Sequence, residues 1–263
     1  MSQQEARMSE LVHYEAGDQV VTLTLDSPHN RNALSRQLVA ELTGRLAEAA
    51  AEPSARAIVI THTGRVFCAG ADLAEAGSQS MTAANTAILA LLSAIVDAAK
   101  PVVARLTGHV RAGGMGIVGA CDLALASETA TFAFTEARIG VAPAMISLTT
   151  QDLLTPRAAA RYYLTGATFS AEEAALAGLI TIASSNENLD AELGRLLAEI
   201  RETSPQGAAE TKRLLTRARR QRLAGESGAM AELSARLFAS AEAQEGIHAF
   251  LEKRPPAWRV PAE

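Results

Sequence analysis

Apolar and polar residues alternate through QVVTLTL (residues 19–25), the period of a half-exposed β-strand. After a turn over residues 27–31 the period lengthens, and Leu38, Val39, Leu42, Leu46 and Ala49 fall on one side of a helix that starts near Ser35. The unbroken apolar run AIVIT (residues 57–61) reads as a second strand, residues 83–99 as a helix, residues 101–106 as a strand, and the stretch from Gly113 as a short buried helix. DLALAS and TFAF follow as brief strands. Such strand and helix alternation predicts a layered α/β core. From Pro143 onward the strand signal disappears. Helices are predicted over residues 157–164, 171–177, 189–202, 205–220, 226–241 and 245–253, with Ser170 and Glu173 spaced as a capping box and Gly178 as a helix stop.

A chain of 263 residues with 48% hydrophobic and 20% charged content can bury a sizeable core, enough for one large domain or a domain with a small extension. The formal net charge of −5 argues against a nucleic-acid partner, which calls for a basic stripe. The basic run KRLLTRARRQR (residues 212–222) has helical spacing and reads as a solvated helix face. Two cysteines, Cys68 and Cys121, carry no CxxC or Cys/His spacing, so neither a metal site nor a disulfide framework is expected and a reducing, cytoplasmic setting fits. The N-terminal residues lack the apolar core of a signal peptide and the acid-poor character of a transit peptide. Asn85, Ser93 and Asp97 interrupt the alanine-rich helix and argue against a membrane span.

The stretch with most chemistry in it is RVFCAGAD (residues 65–72). Its partner is AGGMG (residues 112–116), where an apolar strand runs into a helix start. Small residues let the main chain approach a ligand closely, and unpaired N–H groups at a helix N-terminus suit a developing oxyanion such as that of a thioester. Glu136, in TFAFTEARIG, sits among apolar neighbours that would raise its pKa toward a range useful for proton transfer.

The ordered set FCAGAD, GHVRAGGMGIVGACDLALAS and ATFAFTEARIGVAP resembles the crotonase (enoyl-CoA hydratase/isomerase) superfamily, from HNRNALS near the start to EGIHAFLEKRPPAW near the end. Within it, the pattern is most similar to bacterial methylglutaconyl-CoA hydratase-like members. The resemblance implies a ββα spiral core over residues 1–200 and a C-terminal helical trimerisation region over residues 201–263. It implies an acyl-CoA thioester as substrate, no cofactor apart from the coenzyme A within that substrate, and a homotrimer or dimer of trimers. Glu136 matches the second of two family glutamates, whereas Gly116 stands where the first would be. Ala71 and Gly113 match the oxyanion donors. Arg31, Ala33, Leu34, Ala69, Asp72, Leu73, Gly114 and Gly116 match substrate and CoA contacts, and Lys253 matches a terminal lysine that reaches a neighbouring subunit's CoA phosphates. In this light the 212–222 run has a second reading, attraction for those phosphates. The expected function is hydration of a 2-enoyl-CoA. A double-bond isomerase using Glu136 alone, and a catalytically silent acyl-CoA binding protein, are the alternatives.

Overall fold

The structure, a computed structural model, describes residues 10–72, 75 and 81–259. The alternating stretch forms β2 (Val20–Leu25), with Val21, Leu23 and Leu25 fully buried on one face. It pairs antiparallel with β1 (Val12–Gly17) through a tight turn in which Asp18 and Gln19 both have positive φ, 49° and 60°. That geometry matches the right-handed twist of a two-residue hairpin. β1 has no apolar alternation, because as an edge strand it buries little beyond Val12, and the hydropathy pattern passes it over.

Helix α1 (Arg36–Ala51) starts as expected: the Ser35 side chain accepts a hydrogen bond from the Leu38 N–H, and the five periodic apolar residues are those buried. β3 (Ala57–His62) is buried at every position, since it lies inside a parallel sheet with both faces covered. The chain continues through β4 (Val66–Cys68), α2 (Met81–Asp97), β5 (Val102–Leu106), β6 (His109–Arg111), α3 (Gly113–Ala120), β7 (Leu123–Ser127) and β8 (Thr131–Ala133). Each strand pair supplies one strand to each of two sheets. β3, β5 and β7 join the larger sheet, ordered β1-β2-β3-β5-β7-β10, where β10 is Ile182–Ser184. β4, β6 and β8 join the smaller one, ordered β4-β6-β8-β9, where β9 is Phe169–Ser170. Pairing is parallel apart from β1 with β2 and β8 with β9. The result is the expected α/β spiral.

Beyond Pro143 the structure corrects the all-helical expectation, because β9 and β10 close the two sheets. Both are too short to show a period. The helices here are α4 (Ala144–Thr150), α5 (Pro156–Thr165), α6 (Ala171–Ala177), α7 (Leu189–Glu202), α8 (Pro205–Phe238) and α9 (Ala241–Leu251). The capping box of Ser170 and Glu173 is present, and Gly178 ends α6 at a φ of 91°.

A single helix, α8, replaces the two expected over 205–220 and 226–241. Gly225 and Gly228 fall on open sides of it, where no atom would meet a side chain. An exposed helical glycine costs only about 1 kcal/mol, which packing elsewhere offsets. The buried face of α8 is largely polar, with Lys212, Thr216, Arg219, Leu223, Ala231 and Ser234, so its period is invisible to apolar spacing. The basic run is a solvated face only in part: Arg213 and Arg217 are exposed, while three of its cations turn inward. Lys212 is buried and pairs with Asp122 at 2.7 Å while donating to the carbonyls of Ile95 and Lys100. Arg219 and Arg222 both turn toward Asp152. Lys212, Arg219 and Arg222 thus anchor α8 to the core. Among the described residues no helix is long and apolar enough to cross a membrane, and no group of His, Cys, Asp or Glu has metal-binding geometry.

Candidate active site

The smaller sheet brings the chemistry together. Cys68, Val110 and Phe132 lie at one level of the parallel strands β4, β6 and β8. Ala71, Gly113 and Glu136 follow three, three and four residues later, all beyond the C-terminal ends of adjacent strands. Ligands bind preferentially at this edge of a parallel sheet, because the loops there diverge while the strands fix their roots.

The first two loops touch. A Cβ placed on Gly70 would lie 2.7 Å from the Ala112 Cβ and 3.2 Å from the Gly113 nitrogen, so only glycine permits the approach. The peptide planes then decide where the donors point. Leu34 N–H donates to the Gly70 carbonyl at 2.8 Å, and in that trans peptide the Ala71 N–H faces the opposite way. On the other loop, Ala112 adopts φ 44°, ψ −119°, values normally taken by glycine at the first central position of a type II′ turn. The Ala112 carbonyl accepts from the Met115 N–H, and Gly113 opens α3 with no carbonyl a turn behind it. Among the described residues, neither the Ala71 nor the Gly113 amide has a partner. A strained alanine that turns a free donor outward from a helix start is the kind of backbone device found at functional sites.

Glu136 begins a short 3-10 turn, Glu136–Ile139, after β8. It is 9% exposed, and its Oε2 is buried without a hydrogen-bond partner. Burial pushes its pKa up to about 7, against the smaller opposing effect of a hydrogen bond from its own backbone amide. Helix α9 seals this turn backbone to backbone. A Cβ on Gly246 would lie 2.6 Å from the Ile139 main chain, and one on Gly140, at φ 78°, would meet Glu242 and Ala243 within 2.9 Å. Nearby, the Tyr163 ring packs on Phe134 at 4.4 Å and its hydroxyl shares a 2.6 Å hydrogen bond with Thr150. Burial, with a smaller contribution from Glu136, raises the Tyr163 pKa to about 12, so this hydroxyl stays protonated.

Gly114 and Gly116, expected to contact substrate, also serve helix packing: both are buried, and a Cβ on Gly114 would lie 2.8 Å from the Cys68 Cβ and carbonyl oxygen. One on Gly116 would lie 2.8 Å from the Ile146 Cγ2 and 3.3 Å from Leu92. The Thr149 hydroxyl ties α4 to the Gly116 carbonyl at 3.0 Å. The place of a first glutamate is therefore filled by Ile146. The Ser147 hydroxyl donates to the Ala144 carbonyl at 2.7 Å. Cys68 is fully buried with its pKa raised to about 12, as a structural thiol.

The remaining expected contacts surround the first loop. Arg31 is exposed, with a left-handed φ of 61°, and its carbonyl accepts from the Ala69 N–H. Ala33 is 6% exposed beneath it. Leu34, Ala71 and Asp72 line a cleft of about 150 Å³ between α1, α2 and the end of α8, closed by Val39, Ile88 and Phe238. Leu73 lies outside the described residues. Lys253 is exposed just past α9, apart from these segments.

Sequence reasoning did not single out Asn32, which organises the loop. It is fully buried at φ 51°, accepts from the Ser27 N–H, and donates to the Thr63 and Val66 carbonyls. The signal was present in the paired asparagines of HNRN, since asparagine tolerates the left-handed region.

The pattern that defines the enoyl-CoA hydratase/isomerase family matches residues 15–261. Over 257 residues the chain is 31% identical to the 2,3-dehydroadipyl-CoA hydratase of Escherichia coli K12, covering 96% of this chain and 99% of that one. It is 32% identical over 250 residues to the mevalonyl-coenzyme A hydratase of Aspergillus fumigatus, with 91% of each covered. The crystal structure of an enoyl-CoA hydratase from Mycobacterium avium superposes with a TM-score of 0.89 at 50% identity, covering 96% of this chain and all of that one. With its spiral of paired sheets and a match spanning almost its full length, the chain belongs to the enoyl-CoA hydratase/isomerase family.

Proposed function

We propose that the protein hydrates a 2-enoyl-CoA thioester, with Glu136 as its acid/base group and the amides of Ala71 and Gly113 as oxyanion donors. The observation that carries this reading is the convergence of two unpartnered amides and a buried carboxyl with a free oxygen at one edge of the smaller sheet. The ionised Glu136 takes a proton from water as the water oxygen bonds to Cβ. The alkene electron pair moves to form the Cα–C(O) double bond, and the thioester oxygen becomes an enolate oxygen held by the two amides. The enolate then collapses, and Glu136 returns its proton to Cα. Water has been added and the carboxyl is restored. One well-placed oxyanion donor contributes about 2.7 to 4 kcal/mol to such a transition state.

The apolar cleft beside Ala71 suits the acyl arm, while exposed Arg31 and the rim residues Arg36 and Asp72 suit the polar CoA arm. No cofactor is required beyond the CoA within the substrate, and a cytoplasmic setting is compatible with the two buried thiols. In oxygen-18 water, a 2-enoyl-CoA is expected to give a 3-hydroxyacyl-CoA carrying the heavy label. The single carboxyl favours one rival, a double-bond shift in which Glu136 moves one proton between carbons. Only unlabelled 2-enoyl-CoA from a 3-enoyl-CoA would establish that rival. Binding of both esters without product would leave a silent binder.

The same reading extends to assembly as a homotrimer or dimer of trimers. Leu214 and Leu215 on α8 are 76% and 80% exposed, and Leu164, Leu176 and Leu251 are also uncovered. Such apolar surface is suited to burial between copies. Light scattering at micromolar concentration is expected to give a trimeric or hexameric mass. A monomer would overturn the assembly.

A further inference from the structure

The cleft beyond Ala71 contains a residue that neither the oxyanion donors nor Glu136 explains. Met81, Ala84, Asn85 and Ile88 recur along one face of α2 and form one wall of the cleft, with Leu34 and Phe238 opposite. Three of the four are apolar, as a greasy acyl pocket requires. Asn85 breaks the stripe although it is 2% exposed.

A buried amide that leaves an atom unpaired weakens the fold, so its position calls for a reason. Asn85 Nδ2 donates to the Ala231 carbonyl at 3.1 Å. That carbonyl lies inside α8, where the helix ladder already supplies a donor, so no orphan is being rescued. The contact does fix the amide's orientation, because the reversed amide would set oxygen against oxygen. Oδ1 is then left as the acceptor. Among the described residues it receives no hydrogen bond. Asn85 lines the cleft, and with Nδ2 turned to α8 the atom it offers there is Oδ1. The other polar lining groups are Arg36, Asp72 and Glu75, and the Arg36 N–H donates to the Glu75 carboxylate.

We propose that Asn85 is a specificity-determining residue that selects an acyl chain bearing a hydroxyl group, whose O–H donates to Asn85 Oδ1. This rests on the reading that the thioester is held at Ala71 and Gly113, with its acyl arm in the cleft. A saturated chain in the same place would strip water from Oδ1 and return nothing. A site that hydrogen-bonds a substrate hydroxyl discriminates against the analogue lacking it, because the protein's own polar atom is then left unpaired.

The test uses saturated esters, which cannot be hydrated, so binding is read apart from turnover. The intact protein and the variants Asn85→Leu and Asn85→Ala are titrated calorimetrically with ω-hydroxyacyl-CoAs and with alkanoyl-CoAs carrying methyl in place of the hydroxyl, over several chain lengths. At one length the parent is expected to bind the hydroxylated ester at least about tenfold more tightly than its methyl counterpart. Asn85→Leu should reverse that preference, and Asn85→Ala, which adds no bulk should leucine prevent folding, should abolish it. If parent and variants show the same ratio at every length, the assignment of Asn85 fails while the acyl-CoA reading stands. If the parent binds neither class, both fail.

Discussion

Glu136→Gln is expected to lower turnover by at least about a hundredfold and, at the same time, to make the folded protein more stable above neutral pH. Both effects come from the burial that pushes the carboxyl to about 7. Glutamine keeps the volume and a carbonyl acceptor but has no proton to exchange, so the addition of water and the return of the proton both lose their agent. On the stability side, the unfolded chain releases the Glu136 proton at its ordinary pKa of 4.5, while the native protein holds it until about 7. Between those values the native state binds more protons than the unfolded state, so stability falls as pH rises. Below 4.5 the two states are alike, and above 7 the full penalty of about 3 kcal/mol is in place. Denaturant unfolding at pH 8 should show Glu136→Gln more stable than the parent by up to that amount, with the gain absent at pH 4. Because the ionised carboxyl begins the reaction, kcat/KM of the parent should climb through a limb near pH 7. A variant with normal turnover, or a parent whose rate is flat across this range, removes Glu136 from the mechanism.

The parts of this site that were legible in the sequence are those set by local backbone rules. Small residues in FCAGAD and AGGMG marked close main-chain approach, and Gly70 and Gly113 meet there. The apolar setting of TFAFTEARIG marked a carboxyl with a raised pKa, and burial supplies it. Ser35 and the Ser170/Glu173 pair marked where two helices begin. What escaped depends on contacts between distant segments. Asn85 reads as a polar interruption of a helix until Phe238 and Leu34 are seen to share its cleft. The length of α8 escaped because ion pairs and hydroxyls, not apolar residues, line its buried face. What Gly114 and Gly116 pack against escaped because those neighbours, Cys68 and Ile146, come from other elements.

Gly116→Glu is expected to abolish activity and destabilise the fold, although it writes back the residue that would give two carboxylates. The Cβ alone would lie 2.8 Å from the Ile146 Cγ2 and 3.3 Å from both the Ile146 Cβ and the Leu92 Cδ1. Isoleucine is stiff at its first torsion and cannot swing clear. Retreat of α4 as a whole is opposed as well, since it would break the hydrogen bond from the Thr149 hydroxyl to the Gly116 carbonyl. Overpacking of this kind costs about 1–3 kcal/mol, and a carboxylate among aliphatic side chains without a donor costs several more. The sum exceeds about 4 kcal/mol, enough to unfold many domains of ordinary stability. Ile146→Gly should relieve the clash. In the double variant the two changes should couple by at least about 1 kcal/mol in denaturant unfolding, beyond what their separate effects predict. The pH–rate profile of the double variant should then gain a second carboxylate limb that the parent lacks. A single Gly116→Glu protein as stable and as active as the parent would show that α4 leaves room at this position, and the closure of the second carboxylate site by Ile146 would have to be abandoned.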